Sequence, residues 1–253
     1  MGSKPLAKQQ EAYYFLKDSH TKTIAFGGGA GGGKSWLGCE WLLLSAYYLP
    51  SSRWFIGRNN LTDTRQSVAI TWGKVCKAHG FTEYKVNNDG IQVTSQSGDV
   101  SEVIFLDLSF YPYKDPLFER LGSKEFTGGW IEEAGEVHQL AYDVLKTRVG
   151  RHLNREYGII PKILITFNPK KNWLYSDIYK PWREGKLTKD VAFVQALVTD
   201  NEYQTPEYIE NLQNIKDKAT RERLLFGNWE YDDDPDALIA YDAIIDAFNN
   251  NHV

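Results

Sequence analysis

A chain of 253 residues, 42% hydrophobic and 14% aromatic, has enough apolar material for one substantial core with a smaller attached subdomain, and is read as folded and soluble. A formal charge of −4 excludes a uniformly basic coat for nucleic acid and leaves only a local Lys/Arg patch to meet phosphates. No charged-then-apolar leader opens the chain, the longest apolar run, WLLLSAYYL, is too short to span a bilayer, and Cys39 and Cys76 sit in apolar periodic segments as reduced core residues, so an intracellular protein without a membrane anchor is expected.

In chain order, KPLAKQQEAYYFLKDS has helical spacing and precedes a buried strand, TIAF, at Thr23 to Phe26. FGGGAGGGKSW follows. Gly28, Gly33, Lys34 and Ser35 fit G-x-x-x-x-G-K-[ST], in which successive backbone N–H groups cradle phosphates, the lysine reaches the β and γ groups, and the serine hydroxyl binds Mg²⁺. The helical spacing of SWLGCEWLLLSAYY after the loop aims a helix N-terminus at the anion, which a flexible glycine linker would not do. RWFIG is a second strand, followed by a polar loop, RNNLTDTR. EYKVNNDGIQVTSQSGDVSEVIFLDL alternates and turns at Asn88-Asp89-Gly90 and Ser97-Gly98-Asp99, the pattern of an antiparallel meander.

GGWIEEA resumes a buried strand, HQLAYDVLKTRVGRHL reads as a helix with basic residues towards its end, and KILITFNP supplies another core strand. Strands alternating with helices around a phosphate loop predict an α/β domain with a largely parallel sheet and the meander at one edge. From about Asn172 the chain reads as mostly helical and aromatic. The expected organisation is therefore a core over 1–172, a helical lid over 173–232, and a linker start over 233–253, where Asp232, Asp233 and Asp234 beside Pro235 signal a linker rather than a metal cluster.

Three further features bear on chemistry. In WIEEA an apolar strand ends in two acids: Glu132 is placed to steady Mg²⁺ through a water, and Glu133 to orient and polarise the attacking water. In ITFNPK the strand ends in Thr166 and Asn168, and Asn168 can donate and accept at once, which suits a position between phosphate and lid; a plain strand-ending turn at Asn-Pro reads the local sequence equally well. Arg58, Arg65, Lys170 and Lys171 are candidates for contacts to DNA phosphates, which give grip without sequence preference.

Taken together, AKQQE, GGGAGGGKS, FTGGWIEEAGEV, LKTRVGR, LITFNP, NWLYSDIY, TDNEYQTPEYIENL and RERLLFGNWEYDDD resemble, in order and spacing, the ATPase domain of the large terminase subunit of tailed bacteriophages. The resemblance implies a P-loop NTPase fold of the additional-strand, RecA-like kind with a mostly parallel central sheet, an antiparallel edge meander and a small helical lid. It implies hydrolysis of ATP with Mg²⁺, coupled to driving double-stranded viral DNA into a procapsid. The expected partners are that DNA, the portal protein and the small terminase subunit. A homo-oligomeric ring is expected on assembly, monomers in isolation, and a location in the cytoplasm of the infected bacterial host with transient residence at the portal.

Residue by residue, the resemblance makes Gln9 the base-reading glutamine, with Gln10 as the alternative register. Gly28, Gly29, Ala30, Gly31, Gly32, Gly33, Lys34, Ser35 and Trp36 become the nucleotide loop, Ser35 and Glu132 the Mg²⁺ contacts, Glu133 the base, and Thr166 and Asn168 the coupling segment. Many relatives carry an arginine inside the loop where this chain has Ala30. The charge-stabilising arginine is therefore expected among Arg148, Arg151 and Arg155, spaced to share one helix face, with Arg148 or Arg151 reaching the ATP of a neighbouring subunit. A nuclease domain, present in full-length relatives, is not expected within these residues. Two other readings stay open, a helicase or recombinase motor of the same fold and a nucleotide-gated scaffold with little turnover.

Overall fold

The computed structural model describes residues 4–230, and the expected linker start over 233–253 lies outside them. The elements run α1 (Ala7–Lys17), β1 (Thr23–Gly28), α2 (Lys34–Tyr48), β2 (Arg53–Arg58), α3 (Leu61–His79), β3 (Tyr84–Val86), β4 (Gly90–Thr94), β5 (Val100–Asp107), β6 (Gly128–Ile131), α4 (Gln139–Lys146), β7 (Ile163–Phe167), α5 (Lys180–Arg183), β8 (Val191–Ala196), α6 (Pro206–Gln213) and α7 (Lys218–Phe226). All eight strands join one sheet in the order β3-β4-β5-β2-β6-β7-β1-β8. From β5 to β8 every neighbouring pair is parallel, while β3, β4 and β5 pair antiparallel, as the meander predicts.

The central strands are hydrophobic on both faces because both are covered. β1, β6 and β7 have no exposed residue. One face packs against α1, α2 and α3 through Ile24, Phe26, Leu37, Trp72, Trp130 and Leu164. The other packs α4 and an aromatic group that includes Phe167, Trp173, Tyr179, Phe193 and Trp229. Trp130 on β6 is fully buried and sits against Gly38 of α2, where any Cβ would collide with its indole ring, and its Nε1 donates to Thr166 Oγ1 at 2.9 Å. The helix that starts at the phosphate loop is thereby seated directly on the strand that ends in the two acids.

Three expectations need correcting. RNNLTDTR is mostly the start of α3: Asn60 Oδ1 accepts from the Thr62 N–H, and Val68, Trp72, Val75 and Cys76 recur at helical spacing and are buried. The helix in HQLAYDVLKTRVGRHL ends at Lys146, so Arg148, Arg151 and Arg155 share no helix face. Val149 bridges Phe126 instead, with Phe126 N–H donating to Arg148 O at 3.0 Å and Arg151 N–H to Phe126 O at 3.2 Å, and Gly150 turns left-handed at φ 81°. Finally, the segment from Asn172 is not helical throughout, because VAFVQA forms β8 and pairs parallel with β1 along its whole length. α5, α6 and α7 account for the α-helical part.

Cys39 and Cys76 are buried free thiols. Among the described residues no helix is long and apolar enough to cross a membrane.

Candidate nucleotide site

β1 delivers the chain into a loop whose shape depends on two glycines. A Cβ on Gly28 would run into the carbonyl of Ala196 in β8, and Gly33 takes φ 81°, a left-handed turn that side chains resist, immediately before α2 begins at Lys34. The unpaired N–H groups of the first turn of α2 thus face the loop, an arrangement suited to phosphate. A cavity of about 370 Å³ opens there, lined by residues 30–36 together with Thr71, Lys74, Glu133, Asn168 and Gln204.

Lys34 and Glu133 line it, and Glu132 meets the lining residue Ser35. Lys34 Nζ donates to Gly29 O at 2.6 Å and to Asn168 Oδ1 at 2.9 Å. Asn168 Nδ2 points back to Glu133 Oε2 at 3.5 Å, so Asn168 links the loop lysine with the second acid. Ser35 Oγ donates to Glu132 Oε1 at 3.0 Å. The other oxygen of Glu132 lies 3.4 Å from Ser67 Oγ and 3.7 Å from Arg58 Nη1, and Arg58 Nε is buried without a hydrogen-bond partner in the structure.

Burial shapes the charges here. It raises the pKa of the Glu132 carboxyl above the usual value, against the opposing pull of the Arg58 cation and the Ser35 hydrogen bond. It raises Glu133 too, against Lys34 and Arg58. The Lys34 ammonium is pushed down by burial although Glu133 favours its charged form. A phosphate carrying a metal would bring an anion to the lysine and a cation to the two acids, and so favour the charged form of all three.

Ser35 Oγ and Glu132 Oε1 are two hard oxygens side by side at a helix N-terminus. Mg²⁺ is commonly held by one or two protein oxygens with the rest supplied by phosphate and water, so this donor set fits it. Glu133 takes an uncommon backbone conformation for a non-glycine residue, φ 49°, which turns its side chain off the strand line and towards Asn168.

A second cavity of about 250 Å³ adjoins the first, with Gly33 and Trp36 lining both. Its wall includes Gln9, whose Nε2 donates to Gly33 O at 3.0 Å and whose Oε1 accepts from Leu6 N–H at 2.9 Å. Gln10 points elsewhere, to Pro5 O, so of the two registers Gln9 is the one beside the loop.

Other expected residues lie apart. Thr166 is buried on β7 with its hydroxyl engaged by Trp130, one residue pair short of the cavity that Asn168 lines. Arg148 and Arg151 flank Phe126 before the start of β6, whereas the acids follow its end, and about 20 Å of extended chain separates Phe126 from Glu133. Neither arginine meets its own loop: Arg148 Nη1 donates to Gly122 O, and Arg151 is exposed. Arg65 Nε donates to Asn88 O at 2.8 Å, away from the acids. Arg58, expected from sequence as a DNA contact and as the next candidate after Arg148 and Arg151 for the charge-stabilising arginine, stands against Glu132. Asn201 and Gln204, whose side chains bond the loop carbonyl of Gly31, had no signal in the sequence beyond lying in a polar stretch.

β7 lies between the loop strand β1 and the acid-bearing strand β6, and with the Lys34, Ser35, Glu132 and Glu133 constellation this defines an additional-strand P-loop α/β domain of the RecA-like kind. Residues 25–244 match the model of the T4likevirus-type terminase large subunit, N-terminal, and the chain belongs to that family. Among solved structures, the large terminase of a thermophilic bacteriophage, in complex with ADP, superposes with a TM-score of 0.70 at 13% identity, over 89% of this chain and 54% of that one. The ATPase domain of the Thermus phage P74-26 large terminase gives 0.61 at 15% identity, over 89% and 94%. The HK97 bacteriophage large terminase gives 0.52 at 12%, over 76% and 39%. The chain thus spans about half the length of the thermophilic phage terminase and nearly all of the P74-26 ATPase domain. No curated protein matches it in sequence.

Proposed function

We propose that this chain hydrolyses ATP with Mg²⁺ and that, as the motor domain of a large terminase, it uses the energy to drive double-stranded viral DNA into a procapsid. The reading rests on the family and above all on one observation: the loop residues Lys34 and Ser35 touch Asn168 and Glu132, so the phosphate-binding and acid-bearing elements form one site. The thermophilic phage terminase was solved with ADP and with ATP-γ-S, which supports a nucleotide in the matching fold.

Lys34 exchanges Gly29 O and Asn168 Oδ1 for the β and γ phosphates as they enter. Ser35 and Glu132 would hold Mg²⁺, which would supply charge neutralisation at the phosphates. Gln9 presents one donor and one acceptor, the pattern complementary to the amino group and ring nitrogen of adenine. Glu133, once ionised, accepts the proton of the attacking water, and Asn168 relays the change in Lys34 and Glu133 to Pro169, whose carbonyl accepts from Arg223 Nε of α7 at 2.9 Å. With Ala30 in the loop, the arginine for the γ-phosphoryl group comes from a neighbouring subunit, through Arg151 or Arg148.

In this reading the domain works as a ring on the portal protein, with the small terminase subunit delivering DNA, in the cytoplasm of the infected bacterium. The deciding experiment measures phosphate release and nucleotide affinity together, for the wild type and for Glu133→Gln. Turnover in the wild type with binding but no turnover in Glu133→Gln supports the ATPase. Binding without turnover in both means a nucleotide-gated scaffold, and unwinding of duplex by an active wild type means a helicase.

A further inference from the structure

The 201–204 segment lies between β8 and α6, far from the phosphate loop in sequence, yet it is fastened to that loop. Asn201 Nδ2 donates to Gly31 O at 2.6 Å and Gln204 Nε2 to the same oxygen at 3.2 Å. Asn201 Oδ1 accepts from the Tyr203 N–H at 3.1 Å, which sets the turn that carries the tyrosine. At the far end of the ring, Tyr203 Oη donates to Lys4 O at 3.0 Å. Tyr203 is thus tied to the N-terminal segment by its hydroxyl and to the loop through Asn201, while the residue stays 58% exposed.

Tyr203 lines the 250 Å³ cavity together with Gln9, Leu6, Trp36 and Asn201. The cavity is walled mainly by apolar surface, adjoins the phosphate cavity, and carries the Gln9 amide as its polar group. A flat heteroaromatic group attached to a phosphate chain fits those features, because its edge can meet the amide and its face the aromatic wall. A buried tyrosine would be explained by the core; an exposed one tied by its hydroxyl and through Asn201 beside a nucleotide loop is not.

We propose that Tyr203 is a specificity-determining residue of the nucleotide site, stacking on the base of a nucleoside triphosphate, with Asn201 as the positioning residue that fixes the ring relative to Gly31. This rests on the nucleotide reading above. The second wall of the base site then comes from the segment that leads into α6, so the base is held between two parts of the chain nearly 200 residues apart.

The test is calorimetric titration of the full chain with two Mg²⁺-loaded probes, the β,γ-imido analogue of ATP and base-free tripolyphosphate. Tyr203→Ala should bind the analogue about tenfold more weakly and tripolyphosphate unchanged, while Tyr203→Phe, which keeps the π face, should stay within about twofold for both. Asn201→Ala should weaken both probes, since it releases the loop as well as the ring. Tyr203→Ala matching the wild type, losing both probes equally, or being matched by Tyr203→Phe would overturn the stacking role. A wild type that binds both probes equally overturns it while leaving the phosphate site intact, and a wild type that binds neither overturns the nucleotide reading with it.

Discussion

Lys34 and Asn168, one at the start of α2 and the other just past the end of β7, meet at 2.9 Å through Nζ and Oδ1. The lysine that a phosphate would recruit is therefore already bonded, and the partner it must leave is also in reach of Glu133. In the proposed function, nucleotide entry and the state of the second acid would be coupled through this amide.

Replacing that amide by a carboxylate should trap the lysine. Asn168→Asp offers Lys34 a charged partner in a partly buried site and sets a second anion beside Glu133, so affinity for a non-hydrolysed ATP analogue should fall about tenfold or more. Asn168→Ala frees the lysine and should bind at least as tightly as the wild type while turning over more slowly. Equal affinity of the aspartate variant and the wild type in the same titration would count against the trap.

The acid pair gives a pH signature. Burial lifts the folded pKa of Glu133 above its ordinary value of 4.5 in the nucleotide-free domain, so kcat/KM for ATP should climb with pH along a limb displaced upward from a normal carboxylate. Glu133→Gln should lower turnover by about 10²–10⁴ on the plateau above that limb and by less below it. Stability carries the opposite sign. A raised folded pKa contributes stability that is fully present below 4.5 and lost as pH rises through the folded value, so the neutral Gln variant should melt higher than the wild type at pH 7 and lose that advantage at pH 4. Melting curves at the two pH values decide, and a constant difference would show that the charge is not responsible.

For the arginine, the geometry makes a strong demand. Because Arg148 and Arg151 sit at the far end of β6 from their own acids, their catalytic action requires a neighbour. Activity per subunit should rise with protein concentration, Arg151→Ala should be dead alone, and mixing it with Glu133→Gln should restore turnover. An arginine at the γ-phosphoryl group is worth about 10³–10⁵ in rate, so rescue would be readily measured. Flat specific activity and no rescue would shift the role to Arg58, which already faces Glu132.

Away from the site, Lys162 holds the α1–β1 junction. It donates to Phe15 O, Asp18 Oδ1 and Thr21 O at 2.8, 3.0 and 2.7 Å, with both ionic side chains below a tenth exposed. Lys162→Met should destabilise by about 3 kcal/mol in denaturant titration, because it strands a buried carboxylate. Burial opposes ionisation of Asp18, but hydrogen bonds from Thr21 and Lys162 win and depress its pKa. Its contribution is present above the ordinary aspartate value and is lost as pH falls through the depressed one, so the gap between variant and wild type should narrow in acid. A gap that is unchanged by acid would mean that lost packing dominates.

Most of what chemistry needs locally was readable in the chain. The glycine-rich loop and its Lys-Ser are adjacent residues, and the acids of WIEEA end a strand that its own apolar run announces. The meander turns were likewise written in Asn-Asp-Gly and Ser-Gly-Asp. What sequence spacing misjudged was decided by partners distant in the chain: Val149 leaves a helical pattern to bridge Phe126, and VAFVQA becomes β8 because β1 offers it an edge. The contacts of Arg58 with Glu132 and of Asn201 with Gly31 carry no local mark, since each residue type there is ordinary for a polar surface until the fold closes.

The notch at Gly38 has a mechanical meaning. With the Trp130 indole filling it and tied to Thr166, one side chain joins α2, β6 and β7, the three elements that carry or lead into Lys34, Glu132 and Asn168. The opposite rim of the loop has no such lock. It is clasped by hydrogen bonds, from Ala30 N–H to Leu224 O at 2.7 Å and from Asn201 and Gln204 to Gly31 O, and by the packing of Ala30 against the small cluster of Val198, Leu212 and Leu225. In the proposed function, a change at the γ-phosphate would meet the Trp130 notch on one side and, on the other, the contacts that join the loop to β8 and α7.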